Sequence, residues 1–194
     1  MIDFIQIEGF LDAGACAELR DELGRAAGAP ATLLGRTGAD AVAPQVRRTT
    51  RFAMPAATSV RVTRLLIERK PALEAHFGIT LLSCEKPQFL RYETGDFFVA
   101  HQDGNTPLVH DESRFRKVSA VIFLSQHSDA PASGTYGGGS FVFHGAVTGP
   151  PLRKELTPEP GTLLAFRAET THEVTPVTRG ERITIVSWYR GASS

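Results

Sequence analysis

The sequence predicts a mainly β domain of the α+β class: a double-sheet jelly roll with N-terminal helices packed on one sheet. Three observations predict it. Short runs rich in apolar and β-branched residues, bounded by Gly, Pro, Asp and Asn, follow one another from residue 79 to residue 190. Two helical patterns come before them, placed to cover one face of a sheet. The chain has 194 residues, a length suited to one domain with its own core. The expected division is a single domain over 1–194, with 1–78 as helical support and variable loop and 79–190 as the jelly-roll core.

The elements follow in order. Residues 2–7 read as an edge strand. Asp12 can cap a helix over 13–27, with Ala15, Leu19 and Leu23 on one stripe and Gly28 to end it. From Gly28 to Phe52 the chain reads as a loop with an extended stretch, and its segment 45–52 carries Arg47, Arg48 and Arg51. That segment is either a solvated basic loop or a lid that contacts an acidic or peptide substrate. A second helix is expected over 56–69, with Pro71 breaking it or starting a short helix that ends near Gly78. Strands are then expected over 79–84, 87–93, 97–102, 117–125, 139–144, 152–156, 161–167, 172–178 and 182–190. The connections 104–116 and 125–138 are long for hairpins, so they are expected to rim a pocket and help select substrate.

Composition narrows the function. Lys plus Arg equal Asp plus Glu at 21 each, which argues against a broad nucleic-acid or membrane surface. No apolar run approaches the ~20 residues of a membrane-spanning helix. The N-terminal residues lack a basic region followed by an apolar core. Cys16 and Cys84 have no metal-type spacing and read as reduced thiols. The expected location is the cytoplasm.

A metal site is the main functional signal. His101 and Asp103 are two residues apart at the end of a strand, so both side chains point to one face. That motif alone is weak. It gains weight from a turn at Pro160-Gly161, a buried-strand run over 162–166 and then His172. Two imidazoles and one carboxylate on rigid strands form the facial triad of non-haem Fe(II) oxygenases. A closed zinc site would want a fourth protein ligand, usually a cysteine. His76, His110, His127 and His144 read as solvated or hydrogen-bonded side chains.

Arg182 opens the last strand, and alternation places it on one face with Thr184, Val186 and Trp188. If Arg179-Gly180-Glu181 is a three-residue hairpin loop with Gly180 left-handed, Val177 opposes Ile183 and His172 opposes Trp188. His172 and Arg182 then share a face, whereas a two-residue loop separates them. A buried arginine on the metal's face needs an anion. A dicarboxylate that chelates iron at one end and pairs with Arg182 at the other supplies it.

The ordered pattern Tyr92-Glu-Thr-Gly95, His101-Gln-Asp103, Gly-Gly-Gly-Ser-Phe-Val-Phe, Pro-Gly-Thr-Leu-Leu-Ala-Phe, His172, Gly180, Arg182 and Trp188 resembles the Fe(II)/2-oxoglutarate dioxygenases of the prolyl 4-hydroxylase-like branch. The resemblance covers roughly residues 85–190. It implies a double-stranded β-helix with iron held by His101, Asp103 and His172. It implies Arg182 on the distal carboxylate of 2-oxoglutarate, Tyr92 hydrogen-bonded to that co-substrate, and Trp188 lining the iron pocket. It also implies O2 as oxidant, ascorbate as reductant, and hydroxylation of a prolyl or other residue in a peptide or protein, or of a small amino-acid-like molecule. The sequence departs from the pattern where some relatives carry a second co-substrate tyrosine. The matching position is Phe123, and Thr184 is the candidate replacement. A jelly-roll metal-binding sensor without turnover, and a zinc hydrolase on the same ligands, are the competing readings.

Overall fold

Asp12 caps the first helix as expected, accepting a 2.7 Å hydrogen bond at Oδ1 from the Ala15 backbone N–H. In the computed structural model, which describes residues 2–34, 40–104, 111–145 and 152–192, the chain opens with strand β1 (Phe4–Ile7) and helix α1 (Ala13–Arg25). Short strands β2 (Gly28–Pro30), β3 (Leu33–Leu34), β4 (Asp40–Ala41), β5 (Arg47–Arg48) and β6 (Thr50–Phe52) follow. Helix α2 (Ala56–Phe77) runs unbroken through Pro71 and ends at Gly78 in the left-handed conformation (φ 62°). The expected break at Pro71 is therefore absent. The ring sits on an exposed face, and only one intrahelical hydrogen bond is lost, a local cost the packed turns on either side outweigh.

The remaining elements are β7 (Ser83–Cys84), β8 (Gln88–Tyr92), β9 (Phe97–His101), a 3-10 turn (Glu112–Phe115), β10 (Arg116–Phe123), β11 (Gln126–His127) and β12 (Thr135–Gly138). Then come β13 (Phe141–Gly145), β14 (Leu152–Leu156), β15 (Leu163–Arg167), β16 (His172–Val174), β17 (Val177–Arg179) and β18 (Arg182–Arg190). One eight-stranded sheet has the order β1-β15-β10-β18-β8-β6-β2, with β7 on β18. A five-stranded sheet has the order β14-β13-β16-β9-β5. The double-sheet jelly roll predicted from sequence is the fold observed.

Alternation decides which residues go where. On β10, Val118, Ala120 and Ile122 face outward and join Leu19 and Leu23 of α1 and Leu66 and Leu73 of α2 in one buried cluster. Ile185 and Tyr189 of β18 lie in the same cluster, and the Tyr189 hydroxyl donates a 2.7 Å hydrogen bond to the Leu66 carbonyl. The opposite parity, with Val121 and Phe123 of β10 and Leu164 and Phe166 of β15, packs against Phe141 and Phe143 of the second sheet. One sheet face thus serves the helices and the other closes the sandwich.

The expected hairpin of 172–178 onto 182–190 does not form. β17 pairs with β12, while β18 pairs with β10, β8 and β7. Gly180 is left-handed (φ 68°) as expected, but the turn there passes the chain from one sheet to the other. His172 is the register partner of His101, Trp188 of Ser119, and Arg182 of Tyr92. His172 and Arg182 still meet, because the inward faces of the two sheets look at one another across the sandwich.

Candidate metal and co-substrate site

β9 ends at His101 and β16 begins at His172, so antiparallel pairing sets the two imidazoles side by side with ring centroids 4.2 Å apart. Asp103 lies just past β9. Its backbone N–H donates to the Ala168 carbonyl at 2.9 Å, and Gln102 Nε2 donates to the Glu169 carbonyl at 2.7 Å. Those two bonds clamp the His-x-Asp turn to the turn that delivers His172. Asp103 Oδ1 is 3.6 Å from His101 Nε2, and its Oδ2 is 3.5 Å from His172 Nε2. The candidate ligand atoms of all three residues lie within 4.8 Å of one another, the sole such cluster among the described residues.

The supporting contacts fix which ring nitrogen faces the cluster. His101 Nδ1 donates to the Val99 carbonyl at 2.8 Å and His172 Nδ1 to the Thr170 carbonyl at 2.9 Å. Each Nε2 then carries a free lone pair. Ser119 Oγ donates a 2.6 Å hydrogen bond to Asp103 Oδ2. Phe98 stacks on His101 at 3.5 Å between ring centroids, and Phe141 and Phe166 pack against His172. Burial lowers the pKa of His172 to about 4, helped by the neighbouring His101, so the ring is neutral at pH 7. Burial alone would raise Asp103, yet His172, His101 and Ser119 outweigh it and hold the carboxyl well below the usual carboxylate range. Two imidazole Nε2 atoms and one ionised carboxylate fit a divalent first-row metal such as Fe(II), with facial positions left open.

The cavity at this cluster measures about 430 Å³, and Tyr92, Arg182 and Thr184 line it together with His101, Asp103 and His172. Arg182 is 1% exposed, and neither Nε nor Nη2 has a hydrogen-bond partner. No carboxylate among the described residues pairs with it, so a structural salt bridge does not account for its burial. The guanidinium carbon sits 5.2 Å from the Tyr92 ring and 5.2 Å from the Phe123 ring. Phe123 contributes a ring face and no hydroxyl, as its sequence position implied. Thr184 and Trp188 lie on the inward face with Arg182. Arg116 covers Trp188 at 3.7 Å from the ring and is itself held by Glu85 at 2.9 and 2.8 Å.

The other histidines lie elsewhere. His76 approaches Asp3 at 3.2 Å, His127 approaches Asp129 at 4.0 Å and His144 approaches Glu173 at 3.3 Å. His110 lies outside the described residues. Sequence reading missed Ser119, whose signal was a lone polar residue on the inward face of an apolar strand. It also missed Tyr136 beside Arg182, set within a stretch expected to be loop. Arg47 and Arg51 line the cavity from the short strands β5 and β6, within the segment read as a loop with an extended stretch.

Fold and cluster together define a double-stranded β-helix whose facial two-histidine, one-carboxylate arrangement is the type used by non-haem iron oxygenases. The chain belongs to the 2OG-Fe(II) oxygenase superfamily, whose pattern it matches over residues 87–190. Among curated relatives, a PKHD-type hydroxylase of Nitrobacter winogradskyi is 28% identical over 79% of this chain and 65% of its own length. Another, of Cupriavidus pinatubonensis, is 32% identical over 53% of this chain and 41% of its own length. The chain thus spans less than two thirds of each. A Pseudomonas putida prolyl-4-hydroxylase superposes with a TM-score of 0.72 over 99% of this chain and 94% of that one, at 21% identity. A Trichoplax adhaerens prolyl hydroxylase, solved with a hypoxia inducible factor peptide, gives 0.71 over 98% and 84% at 16% identity. At these identities the structures show a common fold.

Proposed function

We propose that this chain is an Fe(II)- and 2-oxoglutarate-dependent dioxygenase that hydroxylates an unactivated C–H bond. The substrate class is a prolyl or other residue in a peptide or protein, or a small amino-acid-like molecule. One observation carries the reading: a buried two-histidine, one-carboxylate cluster shares a cavity with a buried arginine that lacks an acidic partner among the described residues. His101, Asp103 and His172 hold the iron in this reading, and the open facial positions take 2-oxoglutarate and O2. Bound iron supplies the oxidising chemistry together with those two co-substrates. The side chains do the rest. Arg182 pairs with the distal carboxylate, Tyr92 donates its hydroxyl to the co-substrate, and Trp188 and Phe141 keep water out of the reacting end. No side-chain general base is needed. Ascorbate serves as reductant for the iron. The two free cysteines, Cys16 and Cys84, suit the reducing cytoplasm.

The peptide on the Trichoplax neighbour supports a peptide substrate. Hygromycin B, bound with nickel and 2-oxoglutarate in Streptomyces hygroscopicus HygX (TM-score 0.67, 16% identity), supports a small molecule on the same fold. The test has two stages. Fe(II) and 2-oxoglutarate added anaerobically should produce a weak visible absorption band, absent from His101→Ala. Admission of air should then yield succinate. Metal binding with no response to 2-oxoglutarate would favour the sensor reading. Hydrolysis that needs neither O2 nor 2-oxoglutarate would favour the zinc hydrolase.

A further inference from the structure

Buried polar atoms at the cavity without hydrogen-bond partners are Nε of Arg47 and Nε and Nη2 of Arg182, and the hydroxyl of Tyr136, behind the lining, is a further one. Tyr136 is 1% exposed and sits on β12, which pairs with β17. It stands alongside the arginine stem. A Cβ built on Gly139 would lie 3.0 Å from Arg182 Cδ and 3.3 Å from Tyr136 Cε2, so only a glycine lets the two side chains converge there. The ring edge of His127 closes the other side at 5.3 Å between centroids. Burial pushes the Tyr136 phenol up, and the adjacent Arg182 charge pulls it the other way. The phenol is therefore neutral at pH 7, a hydroxyl that can accept from one group and donate to another.

A buried hydroxyl within interacting reach of a guanidinium whose Nε and Nη2 have no partner is costly unless the working site completes it. Phe123, on the guanidinium's flank, offers only a ring face. Thr184 lines the cavity and is 1% exposed, so its hydroxyl is the competing candidate for the same contact. We propose that Tyr136 is a positioning residue of the co-substrate site: its hydroxyl oxygen accepts from the Arg182 guanidinium and holds that fork toward the distal carboxylate of a 2-oxo diacid. Tyr136 thereby sets the preference for a diacid over a 2-oxo monoacid. The inference rests on the 2-oxoglutarate reading above and assigns a residue to it.

The test compares two ligands that chelate iron identically. Both 2-oxoglutarate and 2-oxobutanoate carry the 2-oxo and C1 carboxylate groups, and only the first carries a distal carboxylate. Each is titrated anaerobically into the Fe(II)-loaded protein, following the visible band, for wild type, Tyr136→Phe and Thr184→Val, with thermal melts alongside. Tyr136→Phe should raise the Kd for 2-oxoglutarate by about tenfold or more, as loss of a hydrogen bond to a charged group implies. Its Kd for 2-oxobutanoate should stay within about twofold and its melting temperature should hold. Equal loss for both acids, or for neither, overturns the proposal. So does selective loss in Thr184→Val with none in Tyr136→Phe. A wild-type protein that binds Fe(II) and neither acid overturns the co-substrate reading itself, a result distinct from a silent Tyr136→Phe.

Discussion

Arg182 is the residue on which the proposed co-substrate contact turns. A guanidinium 1% exposed and unpaired has its charge to offer to a ligand. Removing it should cost the bound diacid two charge-assisted hydrogen bonds, roughly 3–5 kcal/mol. Arg182→Ala is therefore expected to raise the Kd for 2-oxoglutarate by at least a hundredfold while Fe(II) binding stays intact. Anaerobic titration reads both, and an unchanged 2-oxoglutarate Kd would remove Arg182 from the site. Ser119 makes the complementary case at the metal. Its 2.6 Å bond holds Asp103 Oδ2 in place, and loss of such outer support typically weakens metal affinity 10- to 100-fold. Ser119→Ala should show that drop in an Fe(II) titration without a fall in melting temperature; equal affinities would leave Asp103 fixed by its backbone alone. These residues also mark what was legible in the sequence. His101, Asp103 and Arg182 were readable because strand alternation fixes their faces locally. Ser119 and Tyr136 were not, because each meets its partner only through pairing between distant strands.

Among the elements, the long strands were readable and the short ones were not. β10 and β18 carry nearly continuous apolar runs over 8 and 9 residues, the mark of strands buried on both faces. β11 and β12 have two and four residues inside the stretch expected as loop, too few to show a period, and tertiary pairing alone makes them strands. The same reason defeated the expected hairpin register: turn chemistry placed Gly180 correctly but could not say which sheet the next strand would join. Pro71 shows propensity overruled in the other direction. It lies exposed inside α2, where Leu66 and Leu73 are fully buried on the core side. The helix forms because that face is covered, and the proline remains an unrelieved cost. Pro71→Ala should restore the missing N–H and relieve the ring clash with the preceding turn, stabilising the protein by about 1–3 kcal/mol. For a chain of this size that is a rise in Tm of several degrees. A thermal melt checks it, and an unchanged or lower Tm would mean that α2 is already adapted to the ring. Gly180 works the opposite way. At φ 68°, with its Cβ position occupied by the Thr135 carbonyl, it has no room for a side chain. Gly180→Ala should lower Tm and weaken 2-oxoglutarate binding together, because the turn seats both Arg182 and the strand that carries Tyr136.

At the scale of the whole molecule, stability and metal binding are one linked quantity. The proposed ligands come from two strands of one sheet and the turn after one of them, and the cavity is closed by the inward face of the other sheet, so the cluster exists only when both sheets are packed. The unfolded chain holds His101 and His172 71 residues apart and offers no comparable site. Anything that binds the folded form alone stabilises it, by about 2.7 kcal/mol at a hundredfold excess over Kd. At roughly 2–4 °C per kcal/mol, Fe(II) under anaerobic conditions should raise Tm by about 5–10 °C. His101→Ala should abolish that rise. 2-Oxoglutarate should add a second rise only when metal is present, since the metal end anchors it, and Arg182→Ala should cancel this second rise while leaving the first. The order of dependence is the discriminating feature. If 2-oxoglutarate raised Tm equally with and without metal, the arginine and the cluster would be two separate sites, and the single-cavity account of this protein would fail.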